Sequence, residues 1–86
     1  MELTITENKT TLVTLDELAN EEQAVITRIT SHDTATIQKL MVLGVIPGMP
    51  VTMLQRFPSF LFQVGHTQIA VDKHIARSVE VCRVVD

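Results

Sequence analysis

The chain has 86 residues, a net charge of −3, a pI near 5.5 and 45% hydrophobic residues. That is enough for one small domain with a modest core. The acidic balance and scattered Lys and Arg argue against nucleic acid. A single cysteine, Cys82, rules out an internal disulfide and a thiolate metal cage. No apolar run approaches the roughly 20 residues of a transmembrane helix, and Met1–Val13 lacks the pattern of a signal peptide. The composition reads as that of a cytoplasmic protein.

Residues 1–13 are read as an arm or an added edge strand, and 14–86 as one barrel domain. Leu3 and Ile5 alternate with Thr4 and Thr6, whereas Glu7–Thr11 is turn-like. Thr14-Leu15-Asp16-Glu17 has the form of a capping box, with Leu15 and Leu18 on one face of a helical turn. Ala24–Thr30 alternates as a strand, with Val25, Thr27 and Ile29 opposite Ala24, Ile26 and Arg28. Asp33 is the best N-cap for a helix from Thr34 to Leu43, whose inner side would carry Ile37, Leu40, Met41 and Leu43.

The stretch Leu40–Met49 is the most informative. Gly44 stops the helix where positive φ is needed. Ile46-Pro47-Gly48-Met49 has type II turn chemistry, with Pro47 fixing φ and Gly48 taking positive φ. Gly44, Pro47 and Gly48 are thus expected as structural turn residues. Strands follow at Val51–Phe57, Leu61–Val64, Thr67–Val71 and Val79–Val84, with Gly65-His66 as a hairpin connection and Asp72 capping a one-turn helix. The expectation is a mainly β, small barrel of about five strands. One short helix lies between the first and second barrel strands.

Leu15–Leu18, Ala24–Ile29, Leu40–Val51, Ile69–Val71, Ala76 and Val79–Val81, in this order, resemble the FeoA family over about residues 14–84. The resemblance implies an SH3-like β-barrel without catalytic residues of its own. It implies a non-enzymatic accessory protein of bacterial ferrous iron uptake that binds and modulates a FeoB-type permease or its GTPase domain, at the inner face of the membrane. It also implies a glycine before the first barrel strand, where this chain has Glu21-Glu22. A related barrel domain occurs in metal-dependent repressors. A metal-responsive regulatory domain is therefore one alternative, and a stand-alone oligomerisation module, a homo-oligomer, another.

No catalytic residues are expected: Ser31, Ser59 and Ser78 lack a glycine elbow, and Cys82 has no local base. No cofactor or metal site is expected, since His32, His66, His74 and Cys82 fall at no ligand spacing. The lack of Tyr and Trp discounts a proline-rich peptide groove. Arg56-Phe57-Pro58-Ser59-Phe60-Leu61-Phe62 holds every aromatic residue. Phe57 is expected in the core, with Leu61 and Phe62 as further core candidates. Phe60 is read either as an exposed partner contact or as part of a loop folded over the barrel end. Arg56, Phe57 and Phe60 are the candidate partner-binding residues.

Overall fold

The computed structural model describes residues 9–85. Six strands form one antiparallel sheet: β1 (Lys9–Thr14), β2 (Gln23–Ile29), β3 (Pro50–Gln55), β4 (Phe60–Val64), β5 (Thr67–Val71) and β6 (Val79–Val85). Their spatial order is β1-β6-β2-β3-β4-β5, so β1 and β5 lie at the edges. A 3-10 turn (Leu15–Glu17) follows β1, helix α1 (Thr34–Val42) joins β2 to β3, and the one-turn helix α2 (Lys73–Ala76) joins β5 to β6. The fold is therefore mainly β, with the helix placed as the sequence predicts. To the five strands expected, β1 adds an edge strand, and no described pairing closes the sheet between β1 and β5. Lys9–Thr11, read as turn-like, belong to β1, which pairs with β6 from Lys9↔Val85 to Thr14↔Glu80. Leu3 and Ile5 lie outside the described residues.

The core lines one face of the curled sheet. Alternation supplies it with Ala24 and Ile26 from β2, Val51 and Met53 from β3, Phe62 and Val64 from β4, Ile69 from β5, and Val79 and Val81 from β6. Leu15, Leu18, Leu40, Val45 and Ala76 close it from the connections. Leu15 and Leu18 are both fully buried, as their spacing predicts. The register of β2 on β6 slips between Ile26 and Arg28. That slip returns Ile29 to the core side opposite Val79, where strict alternation would turn it outward.

Local capping is only partly as the sequence predicts. Asp33 accepts from the Ala35 amide at 3.1 Å and from the Thr36 hydroxyl at 2.9 Å, so it caps α1. Asp72 accepts from the Ile75 amide at 2.9 Å and caps α2. Thr14 forms no capping box: its side chain makes no cap bond to the backbone. Instead its hydroxyl donates to the carboxylates of Asp16 and Glu17. A single 3-10 turn leaves little helix for such a box to stabilise.

The crossing from α1 to β3 has the expected form. Gly44 and Gly48 take φ of +107° and +95°. The Met49 amide donates to the Ile46 carbonyl at 3.0 Å, closing the turn around Pro47 and Gly48. The Gly48 amide then donates to the Ile26 carbonyl at 2.7 Å, and the Ile26 amide to the Met49 carbonyl at 2.9 Å. The turn is thereby fastened to β2. Glu21, ahead of β2, is the only non-glycine residue of positive φ among the described residues, at +69°. It occupies the place where the family resemblance implies a glycine.

The outer side of α1 departs from expectation. Leu40 is its one buried residue, and Ile37 is half-buried. Met41 and Leu43, assigned to the core from their spacing, are 42% and 36% exposed. The helix rests on the barrel end along a narrow line, so its apolar arc is wider than the surface that covers it.

Candidate interaction surfaces

The turn between β3 and β4 overturns the expected burial of Phe57 and decides between the two readings of Phe60. Phe57 is 83% exposed, whereas Phe60 is half-buried and packs against the core. The cause is register. Met53 pairs with Phe62, but Gln55 pairs with Leu61, so the ladder slips across Leu54. Strand β3 ends at Gln55, before the inward phase of Val51 and Met53 can reach Phe57. Strand β4 starts at Phe60, in phase with the buried Phe62 and Val64. Phe62 is fully buried, and Leu61, another core candidate, is half-buried on the other phase.

Arg56 holds this turn in place. Its Nη2 donates to the Asp16 carbonyl at 3.0 Å, and its guanidinium carbon lies 6.0 Å from the centre of the Phe60 ring. That distance is at the outer limit of a cation–π contact. The three residues named from the sequence are thus neighbours with different surroundings. Arg56 braces, Phe60 fills the barrel end, and Phe57 projects.

A second surface surrounds α1 and α2. An apolar groove of about 290 Å³ runs between them and β5, lined by Leu40, Leu43, Ile69, Val71 and Ile75, with Lys39 at its side. Beyond it lies a polar cleft of about 600 Å³ that includes His32, Asp33, His74 and Arg77. Forty-two positions separate the two histidines, so local spacing gives no sign of their meeting. His66 lies apart, exposed at the β4–β5 hairpin. Cys82 is half-buried, paired with Leu12 on one side and Val25 on the other. Among the described residues no three His, Cys, Asp or Glu side chains stand close enough to hold a metal ion.

On the outer face of β2 and β6, Glu80 accepts from the Thr27 hydroxyl at 3.0 Å and from Arg28 Nε at 3.0 Å. The Thr27 hydrogen bond, then the Arg28 guanidinium, lower its carboxyl pKa below the ordinary value. Arg83 pairs with Glu22 and donates to the Glu17 carbonyl at 2.9 Å, fastening the 3-10 turn to β6.

The family model described as the FeoA domain matches residues 13–83. The chain belongs to the FeoA family. Among solved structures, an iron uptake regulatory protein (FeoA) is 26% identical with a TM-score of 0.75, covering 87% of this chain and 99% of that one. The FeoA of Stenotrophomonas maltophilia, solved with zinc, is 31% identical with a TM-score of 0.73, covering 80% of this chain and 88% of that one. It is described as a prokaryotic SH3-domain protein and a candidate activating factor of ferrous iron transport. A manganese-dependent transcriptional repressor shares the fold at 13% identity and a TM-score of 0.78, with 87% of this chain spanning 43% of the repressor. No curated protein sequence matches the chain. The SH3-like architecture expected from the sequence is thus shared by FeoA proteins. No described helix is long and apolar enough to cross a membrane.

Proposed function

We propose that this FeoA-family chain is a non-enzymatic accessory protein of bacterial ferrous iron uptake. It binds the cytosolic GTPase domain of a FeoB-type permease and modulates transport from the cytoplasmic face of the membrane. The observation that carries this reading is the family match across residues 13–83, seen also in the likeness to FeoA structures over nearly their whole length. The side-chain chemistry agrees with a binding role, since Phe57 is an exposed aromatic beside Arg56.

Phe57 is the anchor in this reading. An aromatic side chain held at 83% exposure beside a braced arginine has the character of an interface hot spot. Arg56 and Phe60 act behind it. Arg56 fixes the turn to the Asp16 carbonyl, and Phe60 roots it in the core. A rigid platform lowers the ordering cost of binding.

The test is binding of the wild-type chain and of Phe57→Ala to the GTPase domain of the cognate permease, read by calorimetry. Binding by wild type that weakens at least about tenfold in the variant supports the reading. Absence of wild-type binding, with concentration-dependent self-association instead, points to the oligomerisation module.

A further inference from the structure

The six cations from Arg28 onward fall into two groups. Arg28 is paired with Glu80, Arg83 with Glu22, and Arg56 is bound to the Asp16 carbonyl. Lys39, Lys73 and Arg77 form no ion pair with a described carboxylate. Lys39 and Lys73 lie on α1 and α2, and Arg77 is the C-cap of α2. Two of the three histidines, His32 and His74, line the same cleft as Arg77. Among the described side chains, the unpaired positive charge thus lies at one end of a chain of net charge −3.

The acidic groups at that end are Asp33, within the cleft itself, and Asp72, so the three cations Lys39, Lys73 and Arg77 exceed them by one; both carboxylates are hydrogen-bonded within the chain. Asp33 accepts from the Ala35 amide and the Thr36 hydroxyl, and Asp72 from the Ile75 amide. Two of the three cleft hydroxyls donate within the chain, whereas Ser31 accepts from the Asp33 amide at 3.0 Å and donates to no described group. Thr30 donates to the Ser78 carbonyl at 3.2 Å, and Ser78 to the Ile75 carbonyl at 2.6 Å. Beside the Ser31 hydroxyl, the side chains left to receive a ligand are His32, His74 and Arg77. All are exposed, and all offer N–H donors. An imidazole keeps at least one N–H in either protonation state, and a guanidinium meets a carboxylate with two parallel bonds. A cation is a poor fit, because Arg77 shares the cleft and no described group of three ligands is present.

We infer that the α1–α2 end is a docking surface for an acidic segment of a partner protein, whose carboxylates enter the His32–His74–Arg77 cleft. This rests on the reading that the chain acts by binding a protein. The exposure of the three side chains suits a macromolecular contact. Charges in this setting steer encounter and fix orientation, and salt screens them.

The test is an NMR titration of the full chain with a capped oligoglutamate peptide, and with oligoglutamine as its uncharged match, at low and high salt. The expected result is shifts centred on His32, His74 and Arg77 with oligoglutamate alone, which fade at high salt. Arg77→Glu should bind about tenfold more weakly, since it replaces a complementary charge with a like one. His74→Glu is the second variant, and near-native spectra of either confirm its fold. Shifts centred elsewhere, an equal response to oligoglutamine, or unchanged binding by both variants overturns the inference. So does a response to inorganic phosphate without one to the peptide, which would indicate a small-anion site. If the peptide binds as expected but the permease GTPase domain does not bind wild type, the choice of partner fails and the acidic docking surface stands.

Discussion

Two short proline-containing turns behave differently. The crossing at residues 44–49 is determined by its own residues. Gly44 and Gly48 take the positive φ that their neighbours would resist, and the turn closes through the Ile46 carbonyl and Met49 amide. The turn at residues 56–60 is determined from outside. It depends on a register slip across Leu54 and on Arg56 reaching Asp16, forty residues away. Backbone conformational rules act over three or four residues, so the first turn can be read directly. The second needs knowledge of which strand slips and what stands opposite.

Four measurements by thermal or denaturant unfolding break or sharpen this contrast. The largest effect is expected for Phe62→Ala, which empties a fully buried aromatic site opposite Met53 and should cost about 3–5 kcal/mol. A cost under about 1 kcal/mol would mean that the slipped register places Phe62 outside a packed core. Next is the positive-φ pair. A Cβ at Gly48 would meet nothing within 4 Å, so Gly48→Val should cost about 1–3 kcal/mol through backbone strain alone. Glu21→Gly, at φ +69°, should move stability the other way and raise the melting temperature. An unchanged melting temperature for Gly48→Val removes the argument that this turn is set by conformation.

The two phenylalanines of the turn come third. Phe60→Ala should cost about 1–2 kcal/mol, because the ring is half-buried against the core. Phe57→Ala should stay within about 0.5 kcal/mol, as for most surface changes. The reverse order would restore the expectation that Phe57 is core and favour the exposed reading of Phe60. Smallest is Glu80→Gln, a probe of long-range side-chain contact on the outer sheet face. Because the folded-state pKa of Glu80 is lowered, its contribution is present above the unfolded value of about 4.3 and is lost as pH falls through the folded value. The melting temperature of Glu80→Gln should therefore lie below wild type near neutral pH and converge on it in acid. A gap that widens in acid contradicts the assigned cause.

What the sequence made legible follows the same division. Asp33 and Asp72 as caps, Gly44 and Gly48 as turn residues, and the buried pair Leu15 and Leu18 all depend on neighbours within a few positions. The open capping box at Thr14 is the local failure: only a single 3-10 turn follows, and the hydroxyl donates to the carboxylates of Asp16 and Glu17 without accepting from the backbone. The strand assignment of Lys9–Thr11 depended on β6, which lies seventy residues away in the chain. Of the candidate site, the cluster Arg56, Phe57 and Phe60 was visible as a cluster of aromatics and charge. Which ring projects was not, because that is a matter of sheet register. The cleft of His32, His74 and Arg77 was invisible, since α1 and α2 meet only after the sheet has curled.

The fastening of Gly48 and Met49 to Ile26 has a consequence for how the molecule opens. Strand β2 stays bonded to β6 as far as the Thr30 amide, which donates to the Ser78 carbonyl at 2.7 Å. Residues 31–47 therefore leave the sheet and return to it through a narrow neck, and within that excursion only Leu40 and Val45 are buried. A segment tied at its base and held by two side chains can detach as a unit while the strands remain paired. Amide exchange should reveal α1 as a separate cooperative unit, opening at lower free energy than β2, β3 and β6. The slowest amides should lie on both sides of the neck, at Ile26 and Gly48. The same neck makes the excursion the place where the chain can change length at least cost, because a longer loop adds little closure entropy once its ends are fixed.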